Sequence, residues 1–209
     1  FGKKNLYIAD GHHRAASAVK VGQAKRAAAV TPDPKAEYNW VLSVVFPHDE
    51  LMIMPYNRVV KDLNGLDEKG LVSRISEKFN VTEGAPVPAR KQSFSMYLGR
   101  KWYTLSPKFE ISADPVASLD VSIMQNEILS PILGIDNPRT SKRIDFIGGI
   151  RGTDELERLV NDGSHAVAFS MFATTIEDLI AVSDAGSVMP PKSTWFEPKL
   201  RSGLVMHRI

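Results

Sequence analysis

Two runs of alternating side-chain character, residues 93–98 and 101–105, are separated only by Gly99-Arg100. So short a glycine-containing connection joins neighbouring strands directly, so these residues predict a β-hairpin, and any fold for the chain must build a sheet around it. Apolar, β-branched stretches predict further strands. The stretch 6–9 is expected to be short and buried, 40–46 central, 51–54 a strand ending at Pro55, and 143–147 and 166–172 two more, with 80–83 extended. Helical spacing predicts helices from His12 to about Gln23, over 67–79, over 120–133 with Gly134 as a stop, from a cap at Asp154, and over 175–183. Strands and helices do not alternate strictly. The expected class is therefore α+β and not a doubly wound nucleotide fold.

Residues 84–91 combine a glycine, two prolines and the adjacent cations Arg90-Lys91. They predict a linker over 84–92 between a first region, residues 1–83, and a second α+β region, residues 93–209, that ends in a docking segment. The chain opens at Phe1 without an initiator methionine and enters an apolar run almost at once, so it is expected to be the C-terminal part of a longer protein.

The densest chemistry lies at a strand-to-helix junction. Asp10-Gly11-His12-His13-Arg14 follows the apolar run Leu6-Tyr7-Ile8-Ala9 and leads into an alanine-rich helical stretch. Gly11 permits a tight turn, the first amides of a helix lack intrahelical acceptors, and the helix end carries about half a positive charge, so the junction suits an anion. Two imidazoles and a guanidinium add donors for phosphate. The plainer alternative is that Asp10 caps the helix and the rest are ordinary first-turn residues. Asp10 is also a candidate Mg²⁺ ligand, because that ion commonly takes one or two carboxylates.

Other constellations are weaker. Arg58, in Pro55-Tyr56-Asn57-Arg58, can hold a phosphate or make a surface salt bridge. The basic run from Arg139 to Arg143 reads as a solvated loop, with phosphate binding as the alternative. Gly148-Gly149-Ile150-Arg151-Gly152 resembles a phosphate cradle in composition but lacks the GxGxxG and GxxxxGK[ST] spacings. A buried Asp145 would need Arg143, Arg151 or a metal as partner. In the tail, Pro190-Pro191 stiffens a segment that presents Lys192, Ser193 and Thr194, followed by Trp195, Phe196, Lys199 and Arg201. This segment is read either as a wall of a site or as a docked terminus.

The residues around Asp10 to Arg14, with Met54 to Val60, Phe146 to Gly149 and Met189 to Gly203, resemble the DGHHR signature and conserved order of an uncharacterised bacterial family, domain-of-unknown-function family ten-fifteen. The DGHHR segment is more distantly similar to the ParB/sulfiredoxin superfamily, which includes free-serine kinases. That resemblance implies a ParB/sulfiredoxin-like mixed sheet with helices, ATP or another nucleotide with Mg²⁺ as cofactor, and phosphoryl transfer to a small hydroxy compound. It further implies Gly11, His12, His13 and Arg14 at the nucleotide, Asp10, His12 and His13 as catalytic residues, and Asp10 at the metal. Arg58, Lys192, Ser193 and Arg201 are then expected at the substrate, a small phosphate- or hydroxy-acid ligand. The catalytic glutamate of the serine kinases has no matching position here. A non-catalytic nucleotide-binding switch or adaptor is the alternative.

Composition bounds these readings. Of 209 residues 43% are hydrophobic and 24% charged, which suits a globular chain. Apolar runs are far shorter than the roughly 20 residues a membrane helix needs, so no membrane partner is expected. A net charge of +2 argues against nucleic-acid binding by bulk electrostatics, and hence against a DNA-binding or nuclease module. With no cysteine, thiolate zinc sites and sulfiredoxin chemistry are excluded, and a cytoplasmic location is expected. His48, His165 and His207 are isolated in sequence, and no histidine pair has zinc-site spacing.

Overall fold

The computed structural model describes Gly2, residues 5–201 and residues 203–208. Phe1, Lys3, Lys4 and Ser202, which belong to the opening and tail segments discussed above, lie outside the described residues, as does Ile209. The chain is α+β and divides into two compact units. The smaller comprises Phe1–Met52 with Phe196–Ile209, and the larger is Ile53–Trp195. The division therefore falls at other points than the expected linker. Residues 84–92 lie inside the larger unit, held by Gly84 N–H on the Trp102 carbonyl at 3.0 Å, by Gln92 N–H on the Asp120 carboxylate at 2.9 Å and by Lys91 on Asp178.

In the smaller unit helix α1 spans His12–Ala28, longer than its apolar spacing suggested, and short 3₁₀ turns cover Glu37–Asn39 and His48–Glu50. Gly22 is the buried residue of α1. A Cβ there would stand 2.7 Å from the Tyr38 carbonyl oxygen, so glycine lets the 3₁₀ turn approach the helix. Arg26 Nη1 donates to Asn39 Oδ1 at 2.8 Å across the same contact. The expected strands at 6–9 and 40–46 do not form. Leu6, Ile8, Trp40, Val41 and Leu42 are exposed and not buried in a sheet. Apolar β-branched residues favour an extended backbone, but a strand exists only where another backbone supplies its hydrogen bonds.

The larger unit is built on a six-stranded sheet in the order β3-β5-β4-β7-β2-β6, where β2 is Tyr56–Val60, β3 Phe79–Glu83, β4 Phe94–Leu98, β5 Lys101–Pro107, β6 Ile144–Gly148 and β7 Val167–Met171. Every neighbouring pair is antiparallel, rather than the expected mixture of directions. Short strands β1 (Met52–Met54) and β8 (Trp195–Glu197) stand in the chain at the two divisions between units. The β4–β5 hairpin closes as expected, with φ of 56° at Gly99 and 64° at Arg100, the two positive values that a right-twisted two-residue turn requires.

Side chains alternate between two dry layers. Val60, Phe94, Met96, Val167 and Phe169 face the main core, which also takes Leu71 and Ile75 of α2 (Glu68–Ser76) and Val121, Ile123 and Met124 of α3 (Asp120–Met124). Val59, Tyr97 and Ala168 face the other side and meet Leu156 of α4 (Asp154–Asn161). This is period-two burial on both faces of one sheet.

Helix ends depart from the sequence reading where tertiary pairing intervenes. Helix α2 is capped by Asp67 accepting from Gly70 N–H at 2.7 Å, but stops short of Phe79, which instead begins β3 opposite Pro107 and packs edge-on against Phe94 and Phe109. The helix expected over 120–133 is α3 followed by a π-helical turn, Gln125–Leu129, in which Ser130 N–H donates to the Gln125 carbonyl at 3.0 Å; Gly134, at φ 65°, follows. Asp154 does not cap α4. The capping position is Thr153, and Asp154, Glu155 and Glu157 sit in the first turn, where the helix dipole favours acids. Helix α5 (Ile176–Asp184) begins in a full capping box between Thr175 and Asp178. Among the described residues no helix is long and apolar enough to cross a membrane.

Phe169 is fully buried at the centre of the sheet. Phe169→Ala is expected to lower unfolding free energy by about 3–5 kcal/mol in urea denaturation followed by tryptophan fluorescence.

Candidate functional site

The junction at the start of α1 is open. Gly11 holds φ 84°, ψ 27°, its carbonyl accepts the first helical bond from Ala15 N–H at 2.9 Å, and no side chain caps the helix. Asp10 is therefore not a cap, which removes that part of the plainer reading of the motif. The backbone amides of His12, His13 and Arg14 lack helical acceptors, and no acid stands in the first turn to compete for them. All three of these residues are exposed. A helix that spends its positive end on histidines and an arginine gains nothing from its own dipole there, whereas a bound anion would be favoured by all of these groups.

Asp10 is instead held by cations, with Arg14 Nη2 at 3.7 Å and Lys199 Nζ at 3.8 Å from its Oδ2. The Arg14 guanidinium folds over Gly11 so closely that a Cβ there would meet Nη2 at 2.9 Å. Glycine suits the left-handed backbone at this position, while the exposed end of Arg14 is free to move aside for a Cβ. Arg201 is exposed in the C-terminal segment of the same unit.

Arg58, Lys192 and Ser193 belong to the larger unit, so the expected substrate residues are divided between the two units. Arg58 is no surface turn residue. It lies in β2, is 3% exposed, and points to the main-core face. Its guanidinium donates to the carbonyls of Tyr56 and, at 3.2 Å, Lys192, and lies 5.5 Å from the centre of the Phe146 ring. Burial pulls its pKa down to about 10, with the charge of Asp120 pulling the other way. Lys192, at φ 58°, places Nζ 5.2 Å from the Tyr56 ring centre. Ser193 is buried, its hydroxyl committed to the Pro190 carbonyl at 2.6 Å and its own carbonyl to Thr174 Oγ1 at 2.9 Å, so it braces the proline segment.

Above Arg58 is a cavity of about 350 Å³. Arg58 and Phe146 contribute from the sheet, Gln125 and Leu129 from the π-helical turn, and Arg139 and Pro191 from loops. Gln125 carried no sequence signal as a site residue; it opens the π-helical turn that lines the cavity, and such turns recur at functional sites.

The remaining constellations resolve into structural roles. Gly148 and Gly149 form no phosphate cradle. A Cβ on Gly148 would stand 2.5 Å from the Trp195 ring and one on Gly149 2.6 Å from the Pro55 ring, so both glycines serve close packing. Arg143 pairs with Asp62, with Nε at 2.8 Å from Oδ2, and leaves Asp145 to Lys61 at 3.4 Å and His165 at 3.0 Å. His165 is not isolated in space, since its other ring nitrogen meets Ser164 Oγ at 3.1 Å. The Ser164 hydroxyl donates to the Leu159 carbonyl at 2.9 Å, which commits its proton to closing the end of α4. Among the described residues no group of three or more histidine or carboxylate side chains is placed to hold a metal ion.

Asp120, also absent from the sequence reading, is buried at the start of α3, where both oxygens accept from Gln92 N–H. Burial pushes its pKa up to about 6, and Asp178 adds to the rise, against the Gln92 amide, Lys91 and Arg58. A carboxyl whose folded pKa exceeds its unfolded value contributes stability that is fully present below the unfolded value and lost as pH rises through about 6. Between pH 4 and pH 7 the protein is expected to lose on the order of 2 kcal/mol through this group. Chemical denaturation at both pH values should show that loss diminished in Asp120→Asn.

Residues 1–122 match the family described as "Protein of unknown function (DUF1015)", and the chain belongs to that family. No curated protein matches it. Among solved structures it is similar to a free serine kinase variant in complex with AMP, at 18% identity and TM-score 0.47, over 90% of this chain and 66% of that one. It is likewise similar to a conserved hypothetical protein from Pyrococcus furiosus, at 18% identity and TM-score 0.46, over 90% and 68% of the two chains. A free serine kinase variant in complex with ADP matches at 20% identity and TM-score 0.44, over 90% and 66%. The chain thus spans just under two thirds of the length of these kinase chains.

Proposed function

We propose that this DUF1015 family member binds the phosphates of ATP or another nucleotide, with Mg²⁺, at the N-terminus of α1, and transfers a phosphoryl group to a small serine-like hydroxy compound. The observation that carries the reading is the open helix end. It offers the backbone amides of His12, His13 and Arg14, is entered through a left-handed glycine, and has no capping side chain and no first-turn acid. Gly11, His12, His13 and Arg14 would hold phosphate oxygens. Asp10, half exposed, fits as the single protein carboxylate on a Mg²⁺ whose other ligands are phosphate oxygens and water, and the ion would neutralise phosphate charge.

Asp10, His12 and His13 are the groups that would take the proton of the attacking hydroxyl as its oxygen bonds to the γ-phosphorus and the nucleoside diphosphate leaves. Such transfer asks chiefly for positioning and charge neutralisation, which amides and cations supply. Arg201 in the smaller unit, and Arg58 and Lys192 in the larger, are candidates for anionic groups of a ligand, while Ser193 would act by bracing the Pro190-Pro191 segment.

A second reading, a non-catalytic nucleotide-binding switch or adaptor, is favoured by one feature. Asp10 already has two cations within 4 Å, Arg14 and Lys199, which compete with a metal ion or an attacking hydroxyl for its oxygens.

Calorimetric titration of the full chain with ATP, ADP and CTP, with and without Mg²⁺, tests both. Saturable binding is expected, weakened at least about tenfold in Gly11→Ala and His13→Ala. Absence of binding by the folded protein would overturn the reading. With binding established, release of nucleoside diphosphate in the presence of serine or related hydroxy compounds supports the transferase, and its absence supports the switch.

A further inference from the structure

The cavity of the larger unit is lined by a buried cation that no described carboxylate contacts. Arg58 is almost wholly buried, and among the described residues of that unit no carboxylate pairs with it. Its hydrogen-bond partners are the neutral carbonyls of Tyr56 and Lys192, and a face of the group meets the Phe146 ring. Asp120, the acid that acts on it through space, gives both oxygens to the Gln92 amide. An arginine is rarely buried unless it is paired, because removing a guanidinium from water costs several kcal/mol. Here the unpaired group lines a cavity, so a ligand can bring the missing anion.

We propose that this cavity binds a small organic monocarboxylate, with its carboxylate on Arg58 and its apolar remainder against Val121, Leu129 and Phe146. The proposal rests on the reading of Arg58 as an anion-holding residue and is independent of nucleotide binding at α1. Charge sets the class. One buried cation balances one negative charge, and the two oxygens of a carboxylate match the parallel N–H groups of a guanidinium. A phosphate dianion would bring a second charge, for which the lining offers only the exposed Arg139 at the mouth. Size agrees, since about 350 Å³ lies at the small end of ligand sites. The walls are also braced before any ligand arrives. Gln125 Nε2 donates to the Ile135 carbonyl at 2.7 Å, Arg139 N–H to Asn137 Oδ1 at 3.0 Å, and Ser193 Oγ to the Pro190 carbonyl. A preformed wall lowers the ordering cost of binding.

The test is ligand-observed NMR and calorimetry on the full chain, without nucleotide, using 3-methylbutanoate and phenylacetate, their neutral amides, and phenyl phosphate. The carboxylates are expected to bind saturably and the amides at least about tenfold more weakly, as the loss of a charged hydrogen bond implies. Gln125→Trp, which fills the cavity from its rim, should abolish binding, and Arg139→Ala should weaken it a few-fold, with thermal melts confirming that both variants fold. Equal binding of amides and acids, no binding by either acid, or binding indifferent to Gln125→Trp would overturn the proposal and leave Arg58 as a strut for the Lys192 segment. Tighter binding of phenyl phosphate would overturn the ligand class. Because nucleotide is absent throughout, failure here leaves the α1 reading standing, and failure of nucleotide titration leaves this one standing.

Discussion

Strand β2 is hydrogen-bonded on both edges, to β6 through Tyr56–Val60 and to β7 through Arg58–Val60, and packed layers cover both of its faces, so Asn57, Arg58, Val59 and Val60 are all buried. From Asn57 to Val60 its side chains alternate between the two layers. Val59 and Val60 do so at no electrostatic cost and join the two cores. Asn57 satisfies itself by accepting from Met171 N–H at 3.0 Å. Arg58 is forced by the same alternation into the layer containing Phe146, where only carbonyls and a ring receive it. The cavity, the bracing of the Pro190-Pro191 segment and the contact to the Lys192 carbonyl all gather around that one enforced burial.

The two anion sites proposed here differ in physical kind. At α1 the attraction comes from backbone amides at an exposed helix end, supplemented by side chains that solvent screens, so it suits a multiply charged ligand that brings its own counter-ion. At Arg58 the attraction comes from one desolvated guanidinium in a low-dielectric layer, where a single charge acts strongly and a second would lack a partner. Neither depends on the net charge of the chain, which at +2 is nearly balanced.

Local signals were legible wherever the physics was local. The Gly99-Arg100 turn and the helix start at Thr175 depend on a few neighbouring backbone angles, and the residues name them. The glycine at 11 was legible for the same reason. Signals failed where another segment decides. The apolar runs at 6–9 and 40–46 have strand composition, but strand pairing is a property of two segments and no residue in either run encodes the second. Phe79 fits a helical stripe, yet pairing of β3 with β5 takes it into the sheet. Gly148-Gly149 has the composition of a phosphate loop, and only the approach of Trp195 and Pro55 shows that packing explains it.

By itself, then, the sequence determined the α+β class, the hairpin at the heart of the sheet, and a helix start entered through Gly11 with His12, His13 and Arg14 in its first turn, because each follows from short-range sterics and hydrogen-bonding capacity. Tertiary structure alone decided the strand order, the division of the candidate residues between two units, the release of Asp10 from capping, and the burial of Arg58 beneath a π-helical turn. Burial and charge pairing are sums over neighbours brought from distant parts of the chain, and a side chain's chemistry is set by those neighbours as much as by its own identity.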